Sequence, residues 1–297
     1  MTTLRWPEAG AESMRNGDPT LSEEEFACFR QFILREAGID LPPGKRPLVQ
    51  SRLSKRLRVL GLDSYAAYWR LLRAPESHAE RQRAVNMLST NETYFFREPQ
   101  HFQWLERQVL ALRERQPGMI KVWSAACSTG EEPYTIAMVL AETLGISGNW
   151  RIFATDINTK VLASAKRGVY PLDRVRRTPP LLWQRYLLRG RDEYEGMVKV
   201  APELARKVEF SQLNLLQCNQ LHHTEIDIVF LRNVLIYFNE ATKLDVLAHL
   251  CTRMKNGGHL LIGHSESLHK LDLPLVQEEP SRYRFEAARQ LSGGGKK

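Results

Sequence analysis

From Met119 onward, short apolar runs alternate with segments of helical period, and this alternation limits the fold more than any other feature of the chain. Strands are expected at 119–124, 150–155, 226–231 and 258–263, with a terminal one at 282–287. Helices are expected at 131–145, 158–167 and 240–254, and Asn256, Gly257 and Gly258 read as a turn before the strand at 258. Strands and helices in this order point to an α/β, Rossmann-like doubly wound sheet whose ligands bind at the carboxyl ends of the strands. Between residues 167 and 210 the alternation lapses into prolines, turns and an extended stretch at Met197–Val200, which reads as an inserted subdomain (168–208) with a small antiparallel sheet.

The part before Met119 carries no strand signal. Ser22 followed by three glutamates is a capping box, and Phe26, Phe29 and Ile33 follow at helical spacing. After the breaker at 41–44, a helix over 46–60 places Val49, Leu53, Leu57 and Leu60 on one face and Arg52, Lys55, Arg56 and Arg58 on the remainder. Helical patterns at 64–73 and 77–88 complete an all-helical unit over 21–90, and 91–118 is read as a linker with a connecting helix. The sheet domain then runs 119–288, and 1–20 and 289–297 are expected to be disordered.

At 297 residues with 43% apolar content, the chain can bury two such units. No run reaches the 18 or so apolar residues of a membrane span, and the N-terminus lacks an apolar leader core, so a cytoplasmic protein without membrane insertion is expected. Cys28, Cys127, Cys218 and Cys251 lie far apart and the histidines show no ligand spacing, which argues against a metal site or a disulfide scaffold. The net charge of +8 favours an anionic partner without naming it.

Four segments carry candidate chemistry. The first, 121–133 (KVWSAACSTGEEP), runs from a strand through small residues into a helix, so a ligand can approach the backbone closely. It lacks the glycines that would cradle a pyrophosphate, and Glu131 and Glu132 would repel one. The same acids suit a cation such as S-adenosyl-L-methionine, or they simply favour a helix N-terminus. Asp156 ends the next strand, where an acid can accept ribose hydroxyls or cap the following helix. The third, 91–98 (NETYFFRE), sets three aromatics beside Thr93 and Arg97, a cluster that could equally be core. In the fourth, a buried strand at 226–231 delivers Arg232, Asn233 and Tyr237 to the carboxyl edge.

Together with Asn214, Leu215 and Leu216 and the basic helix near Arg52, these segments in this order resemble the chemotaxis protein-glutamate O-methyltransferases, the CheR family, over roughly residues 21–288. The resemblance implies an N-terminal helical domain joined to a methyltransferase sheet with a small β-subdomain. It implies cofactor contacts at Asn91, Thr93, Arg97, Glu131, Asp156, Asn214, Leu215, Arg232 and Asn233, with Tyr237 near the transferred methyl. Arg97 and Tyr237 are the candidates for holding the reacting carboxylate, by charge-assisted and phenolic hydrogen bonds. S-adenosyl-L-methionine would give S-adenosyl-L-homocysteine, and the acceptor would be glutamates on the acidic cytoplasmic helices of a chemoreceptor. Arg52, Lys55, Arg56 and Arg58 would dock those helices, and the β-subdomain could add a strand from a receptor tail, as in some relatives. Nothing in the sequence demands more than a monomer. Cys127 stands where relatives often have a small residue, and a thiol beside the cofactor could make the enzyme sensitive to alkylation or oxidation.

Rival readings are a methyltransferase of another signalling pathway, a nucleic-acid methyltransferase and a non-catalytic module that binds the cofactor. Asn233 is followed by Val, Leu, Ile and Tyr237, without the prolines that build a base pocket, which weighs against nucleic acid.

Overall fold

The computed structural model describes residues 19–115, 118–269 and 271–287. The termini expected to be disordered lie outside these residues, apart from Pro19 and Thr20. The chain divides into two compact units, one of Met1–Thr90 with Tyr237–Asn239 and one of Asn91–Ile236 with Glu240–Lys297.

The first unit is built from α1 (Glu23–Ala37), α2 (Arg46–Leu60), α3 (Tyr65–Arg73) and α4 (His78–Leu88). The Ser22 hydroxyl accepts from the Glu25 amide at 3.1 Å, and the Glu25 carboxylate accepts from the Ser22 amide at 3.0 Å, so the capping box is complete. Phe29 lies at the centre, with the Tyr65 and Trp69 rings edge-on at 6.3 and 5.5 Å. Val49, Leu53 and Leu57 of α2 are buried beneath the helix.

In the second unit, α5 (Pro99–Arg115) is no mere connector: Phe102, Leu105 and Val109 join the core of the sheet. The seven-stranded sheet has the order β6-β2-β1-β7-β8-β10-β9. It is formed by β1 (Ile120–Ser124), β2 (Trp150–Asp156), β6 (Val208–Gln212), β7 (Ile226–Leu231), β8 (Met254–Ile262), β9 (Leu275–Glu279) and β10 (Arg282–Phe285). Pairings from β6 to β8 are parallel, and β10 runs antiparallel to both its neighbours. Between these strands lie α6 (Glu131–Leu144), α7 (Thr159–Arg167) and α10 (Glu240–Cys251). The inserted subdomain is a three-stranded antiparallel sheet, β3 (Val169–Pro171), β5 (Met197–Val200) and β4 (Leu187–Arg189) in that order, with the short helices α8 (Pro180–Tyr186) and α9 (Pro202–Ala205).

Two sequence expectations are corrected. The last strand before the terminal hairpin begins at Met254 rather than 258, and α10 ends correspondingly earlier. Asn256, Gly257 and Gly258 form no turn ahead of the strand but a bulge within it: Gly257 has φ +81°, and the register against β7 slips from Ile226↔Met254 to Ile228↔His259. The sequence reading assigned no strand to β6 or β9, and both are short edge strands that are largely exposed. Among the described residues, no helix is long and apolar enough to cross a membrane.

Candidate functional site

The strand order reverses at β1, which has β2 on one side and β7 on the other, so their carboxyl ends open the crevice where doubly wound sheets bind ligands. The loop from β1 to α6 is fixed by its amides. Ala125 donates to the Phe230 carbonyl and Cys127 to that of Thr155, each at 2.9 Å. Gly130 has φ +99°, and a Cβ there would lie 2.8 Å from the Tyr170 hydroxyl and 2.9 Å from the Ala165 methyl. Only glycine fits.

Glu131 follows directly and is fully buried. Its Oε2 accepts from the Thr129 hydroxyl at 2.6 Å, whereas Oε1 has no hydrogen bond. Arg174 Nη2 lies 3.2 Å from Oε1, close enough for charge attraction but not aligned as a donor. Burial holds this carboxyl above the usual range. A buried carboxylate oxygen left without a hydrogen bond is what a cationic ligand would complete, so the residues fit the positively charged end of S-adenosyl-L-methionine.

Asp156 lies at the end of β2. Its carboxylate accepts from the Ser128 amide at 2.8 Å and the Asn158 amide at 2.9 Å, and burial raises its pKa. The capping role belongs instead to Asn158, whose side chain accepts from the Lys160 and Val161 amides at the start of α7. Asn214 and Leu215 are drawn to the same edge, since the Leu213 amide donates to the Asp156 carbonyl at 3.1 Å.

The 91–98 segment divides its aromatics between core and site. Phe95 is buried edge-on to Tyr170 at 5.0 Å, while Tyr94 receives the guanidinium of Arg177 at 4.3 Å and that of Arg97 at 5.7 Å. Arg97 also donates to the Glu92 carbonyl at 2.9 Å. The Asn91 carbonyl accepts from the Ser128 hydroxyl at 2.8 Å, which ties this segment to the loop after β1. Thr93 is buried, and its carbonyl accepts from Arg174 at 3.4 Å.

Arg232 emerges from β7 almost wholly enclosed. Its Nε donates to Glu132 at 2.7 Å, and its Nη1 to the Arg97 carbonyl at 2.7 Å, His101 Nδ1 at 3.1 Å and Glu98 at 3.4 Å. Asn233 adopts φ +58°, donating from its side chain to Glu98 at 3.2 Å and from its amide to Glu266 at 2.8 Å. Glu98, His101 and His264 have ligand atoms close enough to hold a metal ion. Arg232 Nη1 already occupies His101 Nδ1 and approaches Glu98 Oε2, so a metal ion there would have to displace those contacts. Burial, reinforced by Arg232, lowers His101 to about 4 and keeps it neutral at pH 7.

Cys127 overturns an expectation. It is buried beneath the loop, and desolvation together with Asp156 and Glu132 pushes its thiol well above the ordinary value, so it is an inert packing group. Sequence reasoning also missed Tyr170, whose hydroxyl donates to the Thr129 carbonyl at 2.8 Å, together with Arg174 and Glu266. Only Glu266 left a signal: it lies just past an apolar strand of the sheet, as Asp156 does.

Two of the basic residues on α2, Arg56 and Arg52, are held by groups of α4 and its C-terminal end. Arg56 grips Glu80 through two hydrogen bonds of 2.8 and 2.5 Å, and Arg52 donates to the carbonyls of Leu88 and Ser89 at the end of α4. Lys55 and Arg58 are exposed. Tyr237 belongs to the short stretch that groups with this unit, and its carbonyl accepts from the Asp40 amide at 2.8 Å.

Residues 91–283 match the family model "CheR methyltransferase, SAM binding domain", and residues 24–89 match "CheR methyltransferase, all-alpha domain". The chemotaxis protein methyltransferase of Salmonella typhimurium is 44% identical over 252 residues, which cover 84% of this chain and 86% of that protein. That of Escherichia coli is 43% identical, covering 85% and 87%, and chemotaxis protein methyltransferase 2 of Pseudomonas aeruginosa is 43% identical, covering 83% and 87%. With both units matched in chain order and the cofactor crevice formed by the matched segments, the chain belongs to the CheR methyltransferase family.

Proposed function

We propose that this protein transfers the methyl group of S-adenosyl-L-methionine to glutamate side chains on the acidic cytoplasmic helices of a methyl-accepting chemoreceptor. The observation that carries the reading is Glu131, a fully buried carboxylate with one oxygen lacking a hydrogen bond, at the start of α6 in the matched methyltransferase domain. The cofactor supplies an electrophilic methyl on a cationic sulfur. Glu131 would meet its ammonium group, Asp156 its ribose hydroxyls, and Arg232 its α-carboxylate, the ligand's only anionic group. Asn91, Thr93, Asn214, Leu215 and Asn233 would line the remainder.

The reaction needs no base, because a glutamate with a pKa of about 4.3 is already ionised at pH 7. A carboxylate oxygen bonds to the methyl carbon as the carbon–sulfur bond breaks and its electron pair goes to sulfur, so charge is dispersed and no proton moves. The protein's share is alignment and exclusion of water, and alignment alone can supply several kcal/mol. Arg97 and Tyr237 are the groups assigned to hold the acceptor carboxylate, by a charge-assisted and a phenolic hydrogen bond. Too tight a grip would favour the ground state over the charge-dispersed transition state. Lys55 and Arg58 supply positive charge on α2 for an acidic helix, and the exposed edge of β4 offers a place for a receptor tail peptide.

Incubation with methyl-labelled cofactor and a receptor cytoplasmic fragment, followed by mild alkali, tests the reading. Release of volatile methanol identifies a carboxyl methyl ester. Alkali-stable label would indicate nitrogen methylation and overturn it.

A further inference from the structure

The geometry points to Glu132 as a positioning residue: its carboxylate, with Glu98 and His101, holds the Arg232 guanidinium so that Nη2 is presented to the cofactor's α-carboxylate. This rests on the proposed cofactor reading and adds a residue that does not itself touch the ligand.

Glu132 is committed on both oxygens. Oε2 takes Arg232 Nε at 2.7 Å, and Oε1 takes the Ser124 hydroxyl at 2.7 Å from the end of β1. The carboxylate is therefore held between strand and guanidinium, with one hydrogen bond on each oxygen. The sequence pairs Glu131 and Glu132 as equivalent acids, but they face different tasks.

Among the described residues, the hydrogen bonds and ion pairs of Arg232 run through Nε and Nη1, and Nη2 takes part in none of them. The guanidinium also lies over the Phe102 and Phe230 rings, at 5.2 and 5.6 Å. His101 supports the Nη1 side. Since arginine has only donors, Nδ1 must accept, which puts the ring proton on Nε2, where it meets the Ser281 hydroxyl at 2.9 Å. A planar fork held rigidly on two of its three nitrogens is pre-organised to deliver the third to a carboxylate. The Glu132 charge also offsets the cost of enclosing Arg232 before a ligand arrives.

The test compares two ligands on the full chain by titration calorimetry: S-adenosyl-L-homocysteine, and 5′-methylthioadenosine, which keeps the nucleoside and sulfur but lacks the amino-acid end. Glu132→Gln preserves shape and removes the charge. It is expected to weaken S-adenosyl-L-homocysteine at least tenfold and leave 5′-methylthioadenosine within about twofold. In an Arg232→Met background the same substitution should cause no further loss. A purely structural role would weaken both ligands alike, and that result, or no loss for either, overturns the inference. If Glu132→Gln does not fold, Ser124→Ala takes its place, with a several-fold loss confined to S-adenosyl-L-homocysteine as the supporting outcome and parallel or absent losses as the overturning one. Failure of the unaltered protein to bind S-adenosyl-L-homocysteine would instead strike at the cofactor reading itself.

Discussion

Replacement of Gly130 by alanine tests the architecture of the cofactor loop most directly. The added Cβ would lie 2.8 Å from the Tyr170 hydroxyl, 2.9 Å from the Ala165 Cβ and 3.1 Å from the Ala165 Cα. The last is backbone of α7, so the contact cannot be relieved by a side-chain rotation alone. Positive φ adds about 1–2 kcal/mol for any residue with a Cβ, and forcing atoms into a packed site adds about 1–3 kcal/mol. The sum is about 2–5 kcal/mol, and at about 2–4 °C per kcal/mol for a domain of this size the melting temperature should fall by on the order of 10 °C. Gly61 is the internal control, because it has φ +63° and ψ 29° with nothing within 4 Å of an added methyl group, so Gly61→Ala carries left-handed backbone strain alone. Thermal unfolding followed by circular dichroism should place Gly130→Ala well below Gly61→Ala. Affinity for S-adenosyl-L-homocysteine should also fall about tenfold, roughly 1.4 kcal/mol, as the Ser128 amide shifts against Asp156. Equal melting temperatures for the two variants would refute the close-packing argument.

Arg97→Ala should lower both turnover and cofactor affinity, whereas Tyr237→Phe should lower turnover with a smaller effect on affinity; initial rates beside calorimetry check this, and wild-type rates in both would refute it. Burial raises Glu131, and its ionised form is the one that attracts a cation, so cofactor affinity should fall as pH drops through a range above the ordinary glutamate value of about 4.3. Calorimetry at stepped pH should show that decline in the unaltered protein and a flatter profile in Glu131→Gln. All four cysteines are buried, so intact-mass analysis after iodoacetamide at pH 7 should find the native protein unmodified, with Cys127→Ala retaining activity. Lys55→Glu with Arg58→Glu should slow methylation of a receptor fragment at unchanged melting temperature. Arg56→Ala should instead lower the melting temperature by stranding Glu80, whose partner it is.

The sequence by itself determined the elements with strong periodicity and the residue types at the strand ends. The buried run at 226–231, the small-residue loop before α6 and the acid closing β2 are local signals, because a strand buried on both faces must be apolar and a closely approached backbone must lack bulk. Edge strands β6 and β9 escaped notice because they are short and largely exposed, so each carries only two apolar residues. Tertiary structure alone decided which charged groups are spent internally. Glu131 and Glu132 are neighbours on one helix, yet one keeps an oxygen without a hydrogen bond and the other is locked to an arginine a hundred positions along the chain. Arg56 and Lys55 are likewise adjacent, one sealed against Glu80 and one exposed. Whether Cys127 reacts also depended on burial among carboxylates brought together from separate segments. Desolvation and long-range pairing fix these fates, and both are set by residues far apart in the chain, where no local pattern can record them.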